Sequence, residues 1–196
     1  MSEDTLPLLF DEATHTFTRG GVVVPSVTQV LKAAGLVNDF STRSDWARDR
    51  GTRVHLAMFL LTQESEDAAL ATLEPDDVPY FEAAQLWMRT HGVEVLGCEE
   101  MVDGGSYGGW LDLRVQLRGR ERPAVVDLKT GHMPRWCGLQ LAAYAAPFAE
   151  THDRYGVRLQ ANGEPRVQWY RDPSDWFDFR ACLRVAQLQE EYRGSR

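Results

Sequence analysis

Lysine is almost missing from this sequence. Of 21 basic residues among 196, only Lys32 and Lys129 are lysines and the other 19 are arginines. Cysteine is scarce as well. Cys98, Cys137 and Cys182 are odd in number and show no CxxC spacing, which excludes a disulfide framework and a zinc ribbon. No apolar run approaches the ~18 residues a membrane span needs, so no membrane partner is expected. The N-terminal stretch MSEDTLPLLF opens acidic and is too briefly apolar for a signal peptide, so a cytoplasmic location is expected. Positive charge is absent between Arg53 and Arg89, where seven acids fall: Glu64, Glu66, Asp67, Glu74, Asp76, Asp77 and Glu82. The formal charge is −8, but outside that stretch 22 acids face 21 bases. A uniformly acidic surface would exclude nucleic acid, which calls for cations at its phosphates. Here the excess is one local feature, and the exclusion lapses.

What remains is ordinary globular composition, 43% hydrophobic and 26% charged, in a length that suits one domain over residues 1–196. Residues 15–18 and 22–24 flank Arg19-Gly20-Gly21 and predict a hairpin. A helix follows over 26–34, with Ser26 as N-cap and Gly35 as stop. Further helices are predicted over 44–61, 80–90, 136–149 and 173–192. Strands are predicted over 93–102, 109–118, 124–129, 156–160 and 166–171. This order predicts an α/β fold with a central mixed sheet flanked by helices.

The strand over 109–118 alternates, with Leu111, Leu113, Val115 and Leu117 on one face and Asp112, Arg114, Gln116 and Arg118 on the other. If it forms a hairpin with 124–129, a turn at Gly119-Arg120 sets Asp112 opposite Asp127. A six-residue loop shifts the pairing by two and keeps both on one face. Either way Asp112, Asp127 and Lys129 share a side, close enough for both acids to hold one cation. Such a charge cluster is ordinarily a solvated face. Two features argue for more. Asp127 follows the apolar run Ala124-Val125-Val126, and Lys129 stands where this chain would normally use arginine. Lysine is a compact point charge, unlike the planar guanidinium fork.

Gly109-Trp-Leu-Asp112, Asp127-Leu-Lys129-Thr-Gly131 and Gln140-Leu-Ala-Ala-Tyr144, in that order, resemble the PD-(D/E)XK nuclease superfamily and its RecB-type branch. Arg50-Gly51-Thr-Arg-Val-His55 resembles that branch's G-x-x-x-H element. Pro25-Ser26-Val-Thr28 resembles the opening of phage-encoded members and of the mitochondrial genome-maintenance exonuclease. The resemblance implies a restriction-endonuclease-like core and a metal-dependent DNA nuclease. Its expected role is as an exonuclease in recombination, repair or phage replication, in a bacterial or phage-infected cytoplasm. It implies one or two Mg²⁺ or Mn²⁺ ions held by His55, Asp112, Asp127 and the Leu128 carbonyl. Glu99 is implied as the upstream acid, with Glu100 adjacent as the alternative. Lys129 would orient or help deprotonate the attacking water and stabilise charge on the phosphate. Gln140 and Tyr144, one helical turn apart, would border the site. DNA contacts are implied for Ser26, Thr28, Arg50, Arg53, Thr130 and Arg135. Arg43 and Arg48 extend that candidate phosphate rim, although Asp45 and Asp49 interleave as on a solvated helix face. Gly51, one turn before His55, would give backbone clearance there, and Trp46 and Trp110 are expected to pack in the core, with stacking on bases as the alternative. The lone Cys182 near the C-terminus argues against an Fe–S cluster. Without a P-loop or helicase segment, unwinding would need a partner, such as a helicase, an annealing protein or a single-strand-binding protein. The alternative function is a DNA-end binding or assembly factor that keeps the fold without turnover.

Overall fold

One strand, buried on both faces, organises the chain. A computed structural model describes residues 6–37 and 45–193. The first elements are β1 (Leu8–Asp11), β2 (Thr16–Arg19) and β3 (Val22–Val24), an antiparallel sheet in that order. The β2–β3 turn uses Gly20 and Gly21, both left-handed (φ 58° and 83°), a conformation that glycine adopts without steric cost. Next comes α1 (Val27–Ala33), opened by a capping box. The Ser26 hydroxyl accepts the Gln29 amide and the Gln29 side chain accepts the Ser26 amide. Three helices follow: α2 (Asp45–Gln63), α3 (Glu66–Leu70) and α4 (Val78–His91).

The main sheet comprises β4 (Glu94–Asp103), β5 (Gly108–Gln116), β6 (Ala124–Lys129), β7 (Asp153–Leu159) and β8 (Pro165–Trp169), in that spatial order. β6 and β7 are parallel and every other neighbouring pair is antiparallel. Between β6 and β7 runs α5 (Cys137–Ala145), and α6 (Ser174–Arg193) closes the chain. This is the expected α/β architecture, with a mixed sheet between helices. No helix among the described residues is long and apolar enough to cross a membrane.

Alternation along β6 explains the layering. Ala124, Val126 and Leu128 pack with Val54, Met58, Phe81 and Trp87 of α2 and α4. Val125 points the other way and packs with Val30, Leu141, Tyr144 and Phe179 of α1, α5 and α6. Asp127 and Lys129 share Val125's side and meet the α5 layer.

Three details differ from the sequence expectation. The opening hairpin gains β1 as a third strand, and the acidic stretch holds the short α3, capped by Ser65. The helix expected over 136–149 ends at Ala145, with Ala146 as its C-cap. Ala146 is itself helical, but Pro147 after it has no amide to give the Ala143 carbonyl, which accepts the Tyr107 hydroxyl instead.

Candidate metal centre

The strands β5 and β6 pair only over Leu113↔Val126, Arg114↔Val125 and Val115↔Ala124. That register is the one a Gly119-Arg120 turn would set, and one step further Asp112 falls opposite Asp127. There the ladder opens. The Asp112 carboxylate Oδ2 accepts the Leu128 amide at 2.6 Å, filling the place of a strand partner. On the other side of β5, Cys98 pairs with Leu113 and Glu100 with Leu111, so Glu99 lies opposite Asp112.

Into this fork reaches His55 from α2. Its Nδ1 is 3.2 Å from Glu99 Oε1 and 3.7 Å from Asp112 Oδ1, while its Nε2 is 3.2 Å from the Leu128 carbonyl. Ligand atoms of His55, Glu99 and Asp112 all lie within 4.8 Å of one another. Burial by itself would lower the imidazole pKa, but the charges of Asp112 and Glu99 outweigh it and raise it to about 9. In the metal-free protein an imidazolium is thus favoured between the two carboxylates. Glu99 adopts a left-handed backbone, φ 46°, unusual for a residue with a side chain. Glu100 is committed elsewhere, to Arg114 at 2.9 Å, so Glu99 is the acid that faces His55.

Lys129 Nζ donates to Asp127 Oδ1 at 2.6 Å. Asp127 is 1% exposed, and its Oδ2 is buried without a hydrogen-bond partner among the described residues. Burial pushes the Asp127 carboxyl up to about 6 in spite of the neighbouring ammonium. Burial opposes the Lys129 charge too, but Asp127 and Asp112 override it and hold the ammonium well above its ordinary range. From the opposite layer, Gln140 Nε2 donates to the Tyr144 hydroxyl at 3.1 Å, and both residues are buried. Gly109 gives the Tyr144 ring its place, since a Cβ there would come within 2.6 Å of it.

The structure therefore brings His55, Glu99, Asp112 and the Leu128 carbonyl together, with Asp127 and Lys129 across the fork. The expected DNA-contacting residues are distributed differently. Arg50 is 7% exposed, with its guanidinium 4.5 Å from the Trp46 ring centroid and 4.4 Å from that of Tyr80. It donates to the Thr130 carbonyl at 3.0 Å, which ties α2 to the end of β6. Arg53 binds the buried Asp77 at 2.5 Å, and Arg48 binds Asp45. Ser26 is spent on its helix cap, and Arg135 is exposed. Thr130 is half-buried and faces Gly51, where a Cβ would make an ordinary 3.6 Å contact with its hydroxyl. Clearance from neighbouring protein atoms is therefore not what Gly51 supplies. Trp46 and Trp110 are 52% and 37% exposed, so the expectation that they pack in the core is overturned. Arg43 lies outside the described residues.

One feature escaped the sequence. A groove of about 550 Å³ leads to Glu99 and Tyr144, with Ser26, Thr28 and Trp110 along it and Phe10, Glu12 and His15 of the first sheet as its far wall. Phe10 stands edge-on to Trp110 at 5.4 Å. The signal available was the short apolar run at residues 8–10, which has no alternation of its own and becomes a strand only by pairing with β2.

No family model and no curated protein matches the sequence. Among solved structures, that of a protein designated SSO0001 is similar over 69% of this chain and 70% of that one, at 15% identity and a TM-score of 0.35. Function must be sought in this chain's own residues.

Proposed function

We propose that this protein is a metal-dependent nuclease of the PD-(D/E)XK type that hydrolyses phosphodiester bonds in DNA, working as an exonuclease. The observation that carries this is the meeting of His55, Glu99 and Asp112 within 4.8 Å at the mouth of the β5–β6 fork. The donor set suits a hard divalent cation. Carboxylate and carbonyl oxygens favour Mg²⁺ or Mn²⁺, and the single imidazole favours Mn²⁺ of the two. The buried, unpartnered Asp127 Oδ2 is consistent with an atom kept for a ligand outside the protein.

A divalent ion bound here would act as a Lewis acid on a phosphoryl oxygen and make a coordinated water more acidic. The chain's own groups do the remaining work. Asp112 is held in place by the Leu128 amide, and His55 by the Leu128 carbonyl and Glu99. Asp127 fixes the Lys129 ammonium at the open end of β6. The Lys129 ammonium, held by Asp127 and Asp112, is suited to orient the attacking water and to neutralise charge developing on the phosphate.

The test is a time course on 5′- and 3′-labelled single- and double-stranded DNA with Mg²⁺ or Mn²⁺. Degradation from ends is expected, stopped by EDTA, and reduced about 10²-fold or more in Asp127→Ala and Lys129→Ala. Undiminished cleavage in both variants would place the chemistry elsewhere. DNA binding without cleavage under either ion would favour the end-binding alternative.

A further inference from the structure

At the other end of β6, five residue steps or about 16 Å from Lys129, lies a pocket that the proposed chemistry does not use. Its volume is about 480 Å³. The floor is apolar, made of Trp87 from α4, Leu117 after β5, and Tyr155, Val167 and Trp169 from the β7–β8 hairpin. The rim carries the cations Arg118 and Arg120 on the loop after β5, beside Thr90 and His91 of the last turn of α4. We infer that this pocket binds an acidic peptide segment of a partner protein, anchored by one large apolar side chain.

Charge is the first argument. In a chain of formal charge −8, neither Arg118 nor Arg120 forms an ion pair with a described carboxylate, and no acid lines the pocket. The cations are also held in position. The Arg120 guanidinium lies 4.6 Å from the Trp169 ring centroid, and that of Arg171 lies 3.4 Å from it. Arg118 lies across Gly92, where a Cβ would meet its Nε at 2.5 Å. Asp153 is the acid near the floor, where its carboxylate accepts the Tyr155 hydroxyl at 3.4 Å.

The floor decides between a peptide and a nucleic acid strand. Seating a base calls for a free aromatic or guanidinium face, and reading one calls for side-chain groups fixed at its edge. The lining holds no Asn, Gln, Asp, Glu or Ser, and two guanidinia already lie over the Trp169 ring. An apolar side chain needs neither feature. It needs only the exposed Val167 and the rings around it, as an interface anchor does, with acidic neighbours steered in by the rim.

The experiment uses the full chain and a fluorescein-labelled decapeptide of alternating Asp and Glu around one Phe, followed by fluorescence polarisation. Saturable binding is expected at low salt, weakening several-fold at about 300 mM. Replacing the peptide's Phe by Ser should weaken binding about tenfold, as should Val167→Asp in the protein. The exposed pair Arg118→Glu with Arg120→Glu should weaken it more than tenfold, with an unchanged circular dichroism spectrum. Equal affinity for the Ser peptide, or indifference to the arginine pair, overturns the proposal. So does loss of affinity for a labelled dT12 strand in the arginine variant when the peptide does not bind, an outcome that assigns the patch to nucleic acid. Metal-dependent cleavage of short DNA should survive all these substitutions, so this result stands or falls apart from the nuclease reading.

Discussion

His55 ties acid–base chemistry to stability. Without an ion its pKa is raised to about 9, against about 6.5 for an unfolded histidine, because Asp112 and Glu99 outweigh the effect of burial. The folded protein therefore keeps a proton that the unfolded chain releases first. That proton favours folding fully below pH 6.5, and the contribution fades as pH rises through 9. The metal-free protein is expected to melt at falling temperature across this window, and His55→Gln should flatten the profile in a thermal scan. An ion needs the neutral imidazole, so Mn²⁺ binding should tighten over the same range and release a proton, which calorimetry in two buffers would reveal. Glu99 makes a second case at this scale. Its φ of 46° costs about 1 kcal/mol in a residue with a Cβ. Glu99→Gly is therefore expected to be about 1 kcal/mol more stable to urea than Glu99→Ala, while both lose metal affinity. Equal stability of the two would mean that no strain resides there.

Among the elements, the pairing of β5 with β6 positions the centre. Which residues share a face could be read from alternation, but two registers, two residues apart, both satisfied it, and the structure selects one of them. The opening of the ladder at Asp112 could not. It depends on a side chain taking over a backbone hydrogen bond, which no periodicity records. The same holds for Arg50. Its place in the sequence suggests a phosphate contact, but the rings of Trp46 and Tyr80, far apart in the chain, enclose it. Elements that stand on local signals, such as α1 with its capping box, were readable. β1, which depends on its neighbour, was not, and α3 was passed over although Ser65 marks its start. Gly109 offers a test of packing at this level. Gly109→Ala would drive a methyl group into Tyr144 and against Val27, costing about 1–3 kcal/mol of stability by urea unfolding.

For the whole molecule, the negative excess now has a location. Asp77 is fully buried against Arg53, two residues from His55, and acts as a structural partner. The other six acids of the stretch are exposed, from Glu64 just after α2 through α3 and the turn after it to Glu82 on α4. Charges that touch no phosphate leave the salt slope of DNA binding unchanged, since that slope counts released counterions. Replacing those six by Gln or Asn is expected to leave the slope unchanged. A steeper or shallower slope would put α3 on the DNA path. The proposed centre has one more consequence at this scale. His55, Glu99, Asp112 and the Leu128 carbonyl belong to α2, β4, β5 and β6, which lie far apart in sequence and meet only at the fork. An ion held by all four would act as a cross-link between a helical layer and three strands. Amide hydrogen exchange in those four segments would then slow together on loading, while the distal end of α6 kept its own rate.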